Sequence, residues 1–202
     1  MKNIILFNLH IGSHLSHTKM KIILLALVFL LASPFTSAGR SCPGVTSMTP
    51  AAACKAACGT PLMLSLCTDT LSREFNPKPN EITAYALLAV RQALESQKAT
   101  VGRIFALIGK GGLSPKEVLA YMACLPAYNF AGESMGHIYG DMLPRCFFSG
   151  LLEEYQKGIN GGIESCRDGI LQFLATPLYA LIVADRNKAV LAFFLGRLLL
   201  SQ

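Results

Sequence analysis

Beyond residue 38 the sequence holds one histidine, His137, and the whole chain has no block of lysine and arginine and no Asn-x-Ser/Thr triplet. With a single imidazole left, a zinc site built on Cys54, Cys58 and a histidine lacks material, and oxidised cysteines do not ligate metal. The missing basic block argues against a nucleic-acid surface. The missing triplet means that N-glycosylation is not expected. Strand-like alternation and internal repeats are absent as well, so nothing points to a sheet. Gly109-Lys110-Gly111-Gly112 shares only its composition with a phosphate loop, because no strand precedes it and the Gly-x4-Gly-Lys-Ser/Thr spacing is lacking. It reads as a connection between helices, and no metal or cofactor is expected.

What is present begins with a leader. Lys19 and Lys21 form a basic start, Ile22 to Ala32 an apolar run, and Thr36-Ser37-Ala38 a small-residue cleavage signal. Residues 1–38 are therefore expected to be a secretory signal peptide, too short to span a bilayer. Met20 stands directly before the apolar run, so residues 1–19 can be an upstream start that belongs to no fold. The formal charge of +6 falls to +3 when Lys2, Lys19 and Lys21 are removed with the leader. The remainder, 39–202, has the length of one domain.

Helical periodicity runs through everything after residue 80. Leu87, Val90, Leu94, Val101, Ile104 and Ile108 form the expected inner stripe of a first long helix, with Arg91, Glu95 and Lys98 spaced for ion pairs on its other side. Asn80 is its expected N-cap and Gly109 its end. Ser114-Pro115-Lys116-Glu117 is a capping box with proline at N1. Behind it Tyr121, Cys124, Tyr128, Ala131, Met135, Ile138 and Met142 recur in steps of three and four. Pro126 inside this helix predicts a kink. Phe148, Leu152, Tyr155, Ile159, Gly162 and Cys166 repeat the pattern in a third helix expected from Phe147, where Gly158, Gly161 and Gly162 each cost about 1 kcal/mol relative to alanine. Thr176-Pro177 caps a fourth, running towards Leu200 and interrupted at Asp185-Arg186-Asn187-Lys188.

Cysteine spacing adds a constraint. Cys124 and Cys166 are centred on residue 145, beside the helix-breaking Pro144, so two arms of about 29 Å at 1.5 Å per residue return both sulfurs to one end of a hairpin. Upstream, Pro50 to Phe75 reads as a shorter hairpin carrying Cys58 and Cys67, joined to the bundle by Asn76-Pro77-Lys78-Pro79. Cys54 competes with Cys58 for Cys67, and with seven cysteines at least one is unpaired or intermolecular. The fold class is all-α: an up-and-down four-helix bundle (80–202) preceded by an N-terminal α-hairpin and linker (39–79), stapled by disulfides.

The spacing Cys58-x8-Cys67 followed by Leu71, Cys124 with Tyr128 and Ala131, Cys166, Pro177-Leu178 ahead of Asn187, and the Leu198-Leu199-Leu200 ending resemble the plant invertase and pectin methylesterase inhibitor family. The resemblance implies bridges Cys58 to Cys67 and Cys124 to Cys166, leaving Cys42, Cys54 and Cys146 outside the framework. It also implies a secreted protein of the cell wall that forms a 1:1 complex with pectin methylesterase or acid invertase and covers the active-site cleft. Invertase-type members carry Pro-Lys-Phe before the last framework cysteine. The nearest segment here is Pro144-Arg145-Cys146-Phe147, with an extra residue and arginine for lysine, so pectin methylesterase is the favoured target and acid invertase the alternative.

Three other readings have a foothold in the residues. Ser134, His137 and Asp141 fall on one helix face in the order nucleophile, base and acid, but a straight helix offers no oxyanion donors, and the triplet reads as a solvated polar stripe with no catalytic role. A helical lipid carrier fits the 52% hydrophobic content and the third-helix glycines, though the adjacent Cys-Cys and Cys-x-Cys pairs of small plant carriers are absent. Ala189 to Leu200 resembles a lipid-anchor tail, but Arg197 interrupts it and its removal would delete the fourth helix.

Overall fold

The computed structural model describes residues 42–72 and 81–200, which belong to one compact unit, Gly39–Gln202. The leader and residues 76–80 lie outside the described residues; the first long helix takes Glu81, not the expected Asn80, as its N-cap, with no side-chain cap bond. Helices α1 (Pro50–Ala57) and α2 (Pro61–Ser72) form a hairpin, followed by α3 (Ile82–Lys110) and α4 (Pro115–His137). Helix α4 runs on into a π-helical turn, π1 (Ile138–Met142). A composite rod then comprises α5 (Leu151–Gln156), π2 (Lys157–Glu164) and α6 (Ser165–Gly169), and after a 3₁₀ turn, Leu171–Phe173, comes α7 (Pro177–Arg197).

Helix α3 packs on α4 and α7, α4 on the rod, and the rod on α7, which closes a four-membered ring of sequence neighbours. That is the up-and-down bundle; α1 and α2 pack against α7, and α2 also against α3. Among the described residues there is no strand, only an isolated bridge between Ser47 and Glu81.

A hydroxyl residue followed by proline opens four of the helices. Thr49 Oγ1 accepts from Ala52 N–H at 3.2 Å ahead of Pro50, and Thr60 Oγ1 from Met63 N–H at 3.3 Å ahead of Pro61. Ser114 and Glu117 exchange side-chain-to-backbone bonds at 3.3 and 2.8 Å, the expected capping box. Thr176 precedes Pro177 without a side-chain cap bond. Proline at N1 removes an amide hydrogen that the helix would leave unpaired anyway.

The α4 stripe is as predicted: Tyr121, Cys124, Tyr128, Ala131, Met135, Ile138 and Met142 are all buried, and the helix continues through the exposed Pro126. The α3 stripe is shifted. Of the predicted residues only Val90 and Ile104 are buried, and the innermost line runs through Ile82, Ala86, Ala89, Ala93, Gln97, Thr100 and Ile104. Small side chains form much of this face, and the larger leucines flank it. The helix ends at Gly111, whose φ of +76° suits a residue without Cβ.

Two expectations about the last two bundle helices are corrected. The third does not resume at Phe147: Leu143 to Cys146 turn, Cys146 adopts φ +57°, Gly150 adopts φ +73°, and helix begins at Leu151. The fourth is unbroken, with Asp185 fully buried within it. Its end is buried too, through Ala189, Leu191, Ala192, Leu195 and Leu199, as expected of a bundle helix.

Candidate functional site

Three disulfides cross-link the unit. Cys124 on α4 and Cys166 on α6 are bonded with Cα atoms 4.6 Å apart. The predicted Cys58 to Cys67 bridge is replaced by Cys54 to Cys67, Cα separation 5.6 Å, and Cys58 is a half-buried free thiol. Hairpin symmetry is the reason. The midpoint of 54 and 67 falls at the Gly59-Thr60-Pro61 turn, whereas Cys58 is the C-cap of α1 and lies opposite the very start of α2. The centring argument that pairs Cys124 with Cys166 identifies Cys54 when applied here. Burial raises the Cys58 thiol pKa above its ordinary value.

The third bridge, Cys42 to Cys146, ties the segment before α1 to the turn between α4 and α5. The same segment is held along the bundle by Cys42 N–H donating to Glu81 Oε1 at 3.1 Å and by Tyr85 O–H donating to the Met48 carbonyl at 2.9 Å. The turn that it fixes presents Pro144, Arg145 and Phe147 to solvent, with Arg145 paired to Asp141 at 2.9 Å.

The rod approaches α4 closely, and its glycines are the cause. A Cβ on Gly162 would lie 2.5 Å from Ala131 Cβ and 2.8 Å from the Ala127 carbonyl, and one on Gly158 would lie 3.0 Å from Ser134 Cβ. These glycines therefore close the interior instead of loosening it, which removes the structural premise of a lipid carrier.

Ser134, His137 and Asp141 do not act together. Ser134 is buried against Gly158, while the half-exposed His137 stands 3.4 Å from Asp141 and 3.8 Å from Glu154. The expected solvated stripe is thus split: Ser134 faces the rod and is buried, while His137 is open to solvent. Among the described residues no group of three or more His, Cys, Asp or Glu side chains could hold a metal, and no helix is long and apolar enough to cross a membrane.

Sequence reasoning missed the polar centre of the bundle. Tyr128 O–H donates to Asp185 Oδ2 at 2.7 Å, Ser96 Oγ donates to Asp185 Oδ1, and Lys188 Nζ donates to Ser96 Oγ at 2.7 Å. Burial, followed by the neighbouring Asp185 charge, pushes the Tyr128 phenol far above its ordinary pKa and keeps it a donor. Helices α3, α4 and α7 are joined here by hydrogen bonds to one buried carboxylate. The signal was Asp185 in register with the apolar Leu178, Ile182 and Ala189.

The arrangement defines a class: an all-α scaffold, cross-linked at three places, whose Ser134, His137 and Asp141 are split between the interior and the surface. No protein-family model matches the sequence, and no curated protein does. Solved structures share the fold. A mutant form of a pectin methylesterase inhibitor from Arabidopsis superposes with a TM-score of 0.61 at 17% identity, over 74% of this chain and 97% of that one. A pectin methylesterase inhibitor from Arabidopsis thaliana gives 0.53 at 17% identity, over 66% and 87%. The chain has the helical-bundle fold of these inhibitors.

Proposed function

We propose that this chain is a secreted member of the plant invertase and pectin methylesterase inhibitor family, and that it inhibits a pectin methylesterase by covering its active-site cleft in a 1:1 complex. The observation that carries the reading is the shared fold over 97% of the length of an Arabidopsis inhibitor. It is supported by the pairing of Cys124 with Cys166, which the resemblance implied and which forms, whereas the Cys58-x8-Cys67 pairing that it also implied does not. A cross-linked bundle suits occlusion because a pre-organised surface loses little conformational entropy on docking. Residues 1–38 are the proposed signal peptide, and the cell wall is the proposed site of action.

A second target has one observation in its favour. Pro144 and Phe147 are exposed on a turn fixed by a disulfide, as a contact loop would be, so acid invertase is the alternative. Mixing oxidised protein separately with a plant pectin methylesterase and an acid invertase at mildly acidic pH tests both. Stoichiometric, reversible loss of methylesterase activity is expected, with invertase little affected. The reverse result promotes the alternative; inhibition of neither removes the proposal, since a fold does not fix a function.

A further inference from the structure

We propose that the solvent-facing side of α4 is a homodimer interface, on which a second copy of this chain docks antiparallel about a two-fold axis. The inference does not rest on the inhibitor reading. Helix α4 is apolar on two faces. Opposite its buried stripe, Lys116, Leu119, Ala123, Pro126, Phe130 and Glu133 recur in steps of three and four, and all six are exposed. Leu119 is 69% exposed, and Met122 beside it 52%. The outer face of a bundle helix is ordinarily given to polar side chains. This one carries charge only at its two ends.

The order of residues along the stripe identifies the occupant. Lys116 and Glu133, Leu119 and Phe130, and Ala123 and Pro126 are all centred on one point, between Cys124 and Leu125. A two-fold contact pairs residue i with j and j with i. Two α4 helices crossing antiparallel at that point therefore set Lys116 against the partner's Glu133 and Leu119 against the partner's Phe130. Ala123 and Pro126 meet at the centre, where neither carries a long side chain. Among the described residues neither Lys116 nor Glu133 has an ion-pair partner in its own chain. Parallel pairing would oppose lysine to lysine and glutamate to glutamate, so the charges select the antiparallel arrangement. Steps of three and four are the spacing of a helix-helix seam, here about 25 Å long at 1.5 Å per residue. Lys157 of the rod lies 5.6 Å from the Phe130 ring centre and pairs with Glu154 at 3.7 Å, which leaves no unmatched charge beside the seam.

The test is sedimentation equilibrium of the oxidised protein with Cys58 alkylated, so that no intermolecular disulfide forms. A reversible monomer-dimer equilibrium is expected, with a dissociation constant of about 10 to 100 μM, since one helix per subunit is a small contact for a protein interface. Leu119→Ser should weaken it about tenfold or more. Lys116→Glu and Glu133→Lys should each weaken it about fivefold or more, because the two-fold axis turns both ion pairs into repulsions at once. The double variant Lys116→Glu, Glu133→Lys restores both pairs with their signs exchanged and should dimerise within about twofold of the parent. These positions are exposed in the monomer, so melting temperatures of dilute protein should not change. A parent protein that stays monomeric to about 1 mM overturns the proposal, being weaker than any specific contact of this kind. Dimerisation indifferent to Leu119→Ser, or a double variant no tighter than the single ones, overturns it as well. A monomeric protein whose inhibition of a pectin methylesterase falls in Leu119→Ser would assign this face to the enzyme instead.

Discussion

Asp185 illustrates why a charged residue in an apolar helix can be misread from sequence alone. Followed by Arg186, Asn187 and Lys188, it has the look of a solvated break, yet it is fully buried and accepts from Tyr128 and Ser96. Its partners are 57 and 89 residues away, so no local pattern contains the compensation. Asp185→Ala leaves the Tyr128 hydroxyl without its acceptor, and a loss of about 3 kcal/mol is expected in urea unfolding. His137→Ala is the contrast. That imidazole is half-exposed with only long contacts to Asp141 and Glu154, so stability should change by less than about 0.5 kcal/mol. Any hydrolytic activity that vanished in this variant would contradict the non-catalytic reading of the triplet.

At the scale of the element, legibility followed the range of the determining interaction. Capping of α4 by Ser114 and Glu117 spans three residues and was readable, as was the α4 stripe, whose large side chains mark the buried face. The α3 face was misplaced because alanines, Gln97 and Thr100 occupy it, and burial of small or polar residues depends on what approaches. The rod glycines were read as a local cost for the same reason. Their benefit lies across the interface: Gly162→Ala, which on an isolated helix would stabilise, should destabilise by about 1 to 3 kcal/mol through overlap with Ala131 and Ala127. Thermal melts of Gly162→Ala beside Gly132→Ala check this, because only the first meets a neighbour. The α1 to α2 bridge is decided at this scale as well. Non-reduced peptide mapping should recover Cys54 joined to Cys67, with Cys58 alkylated slowly at neutral pH and faster as pH rises, since burial raises its pKa. Recovery of a Cys58 to Cys67 peptide would restore the family-implied pairing.

For the whole molecule, the all-α ring of four sequence neighbours with a hairpin in front was legible because short connections leave few ways to arrange four periodic segments. The long-range strap was not, because Cys42 and Cys146 are 104 residues apart and neither belongs to the family framework. That strap links stability to the proposed choice of target. Chain entropy assigns about 5 kcal/mol to a loop of this length, on a model that neglects native strain. A Cys42→Ser, Cys146→Ser variant should therefore melt at a lower temperature than the parent while keeping its helical circular dichroism, and its 143–150 turn should exchange amide hydrogens faster. If the inhibited enzyme is a pectin methylesterase that docks elsewhere on the bundle, inhibition by this variant and by Pro144→Ala, Phe147→Ala should stay within about threefold of the parent, as for substitutions outside an interface core. If the turn enters an invertase cleft, both variants should lose at least tenfold in inhibition constant, because one removes the exposed aromatic anchor and the other the pre-organisation of its turn. Loss with only the cysteine variant would instead assign the strap a purely stabilising role, and melting curves taken at the assay temperature distinguish that outcome from a defect in docking.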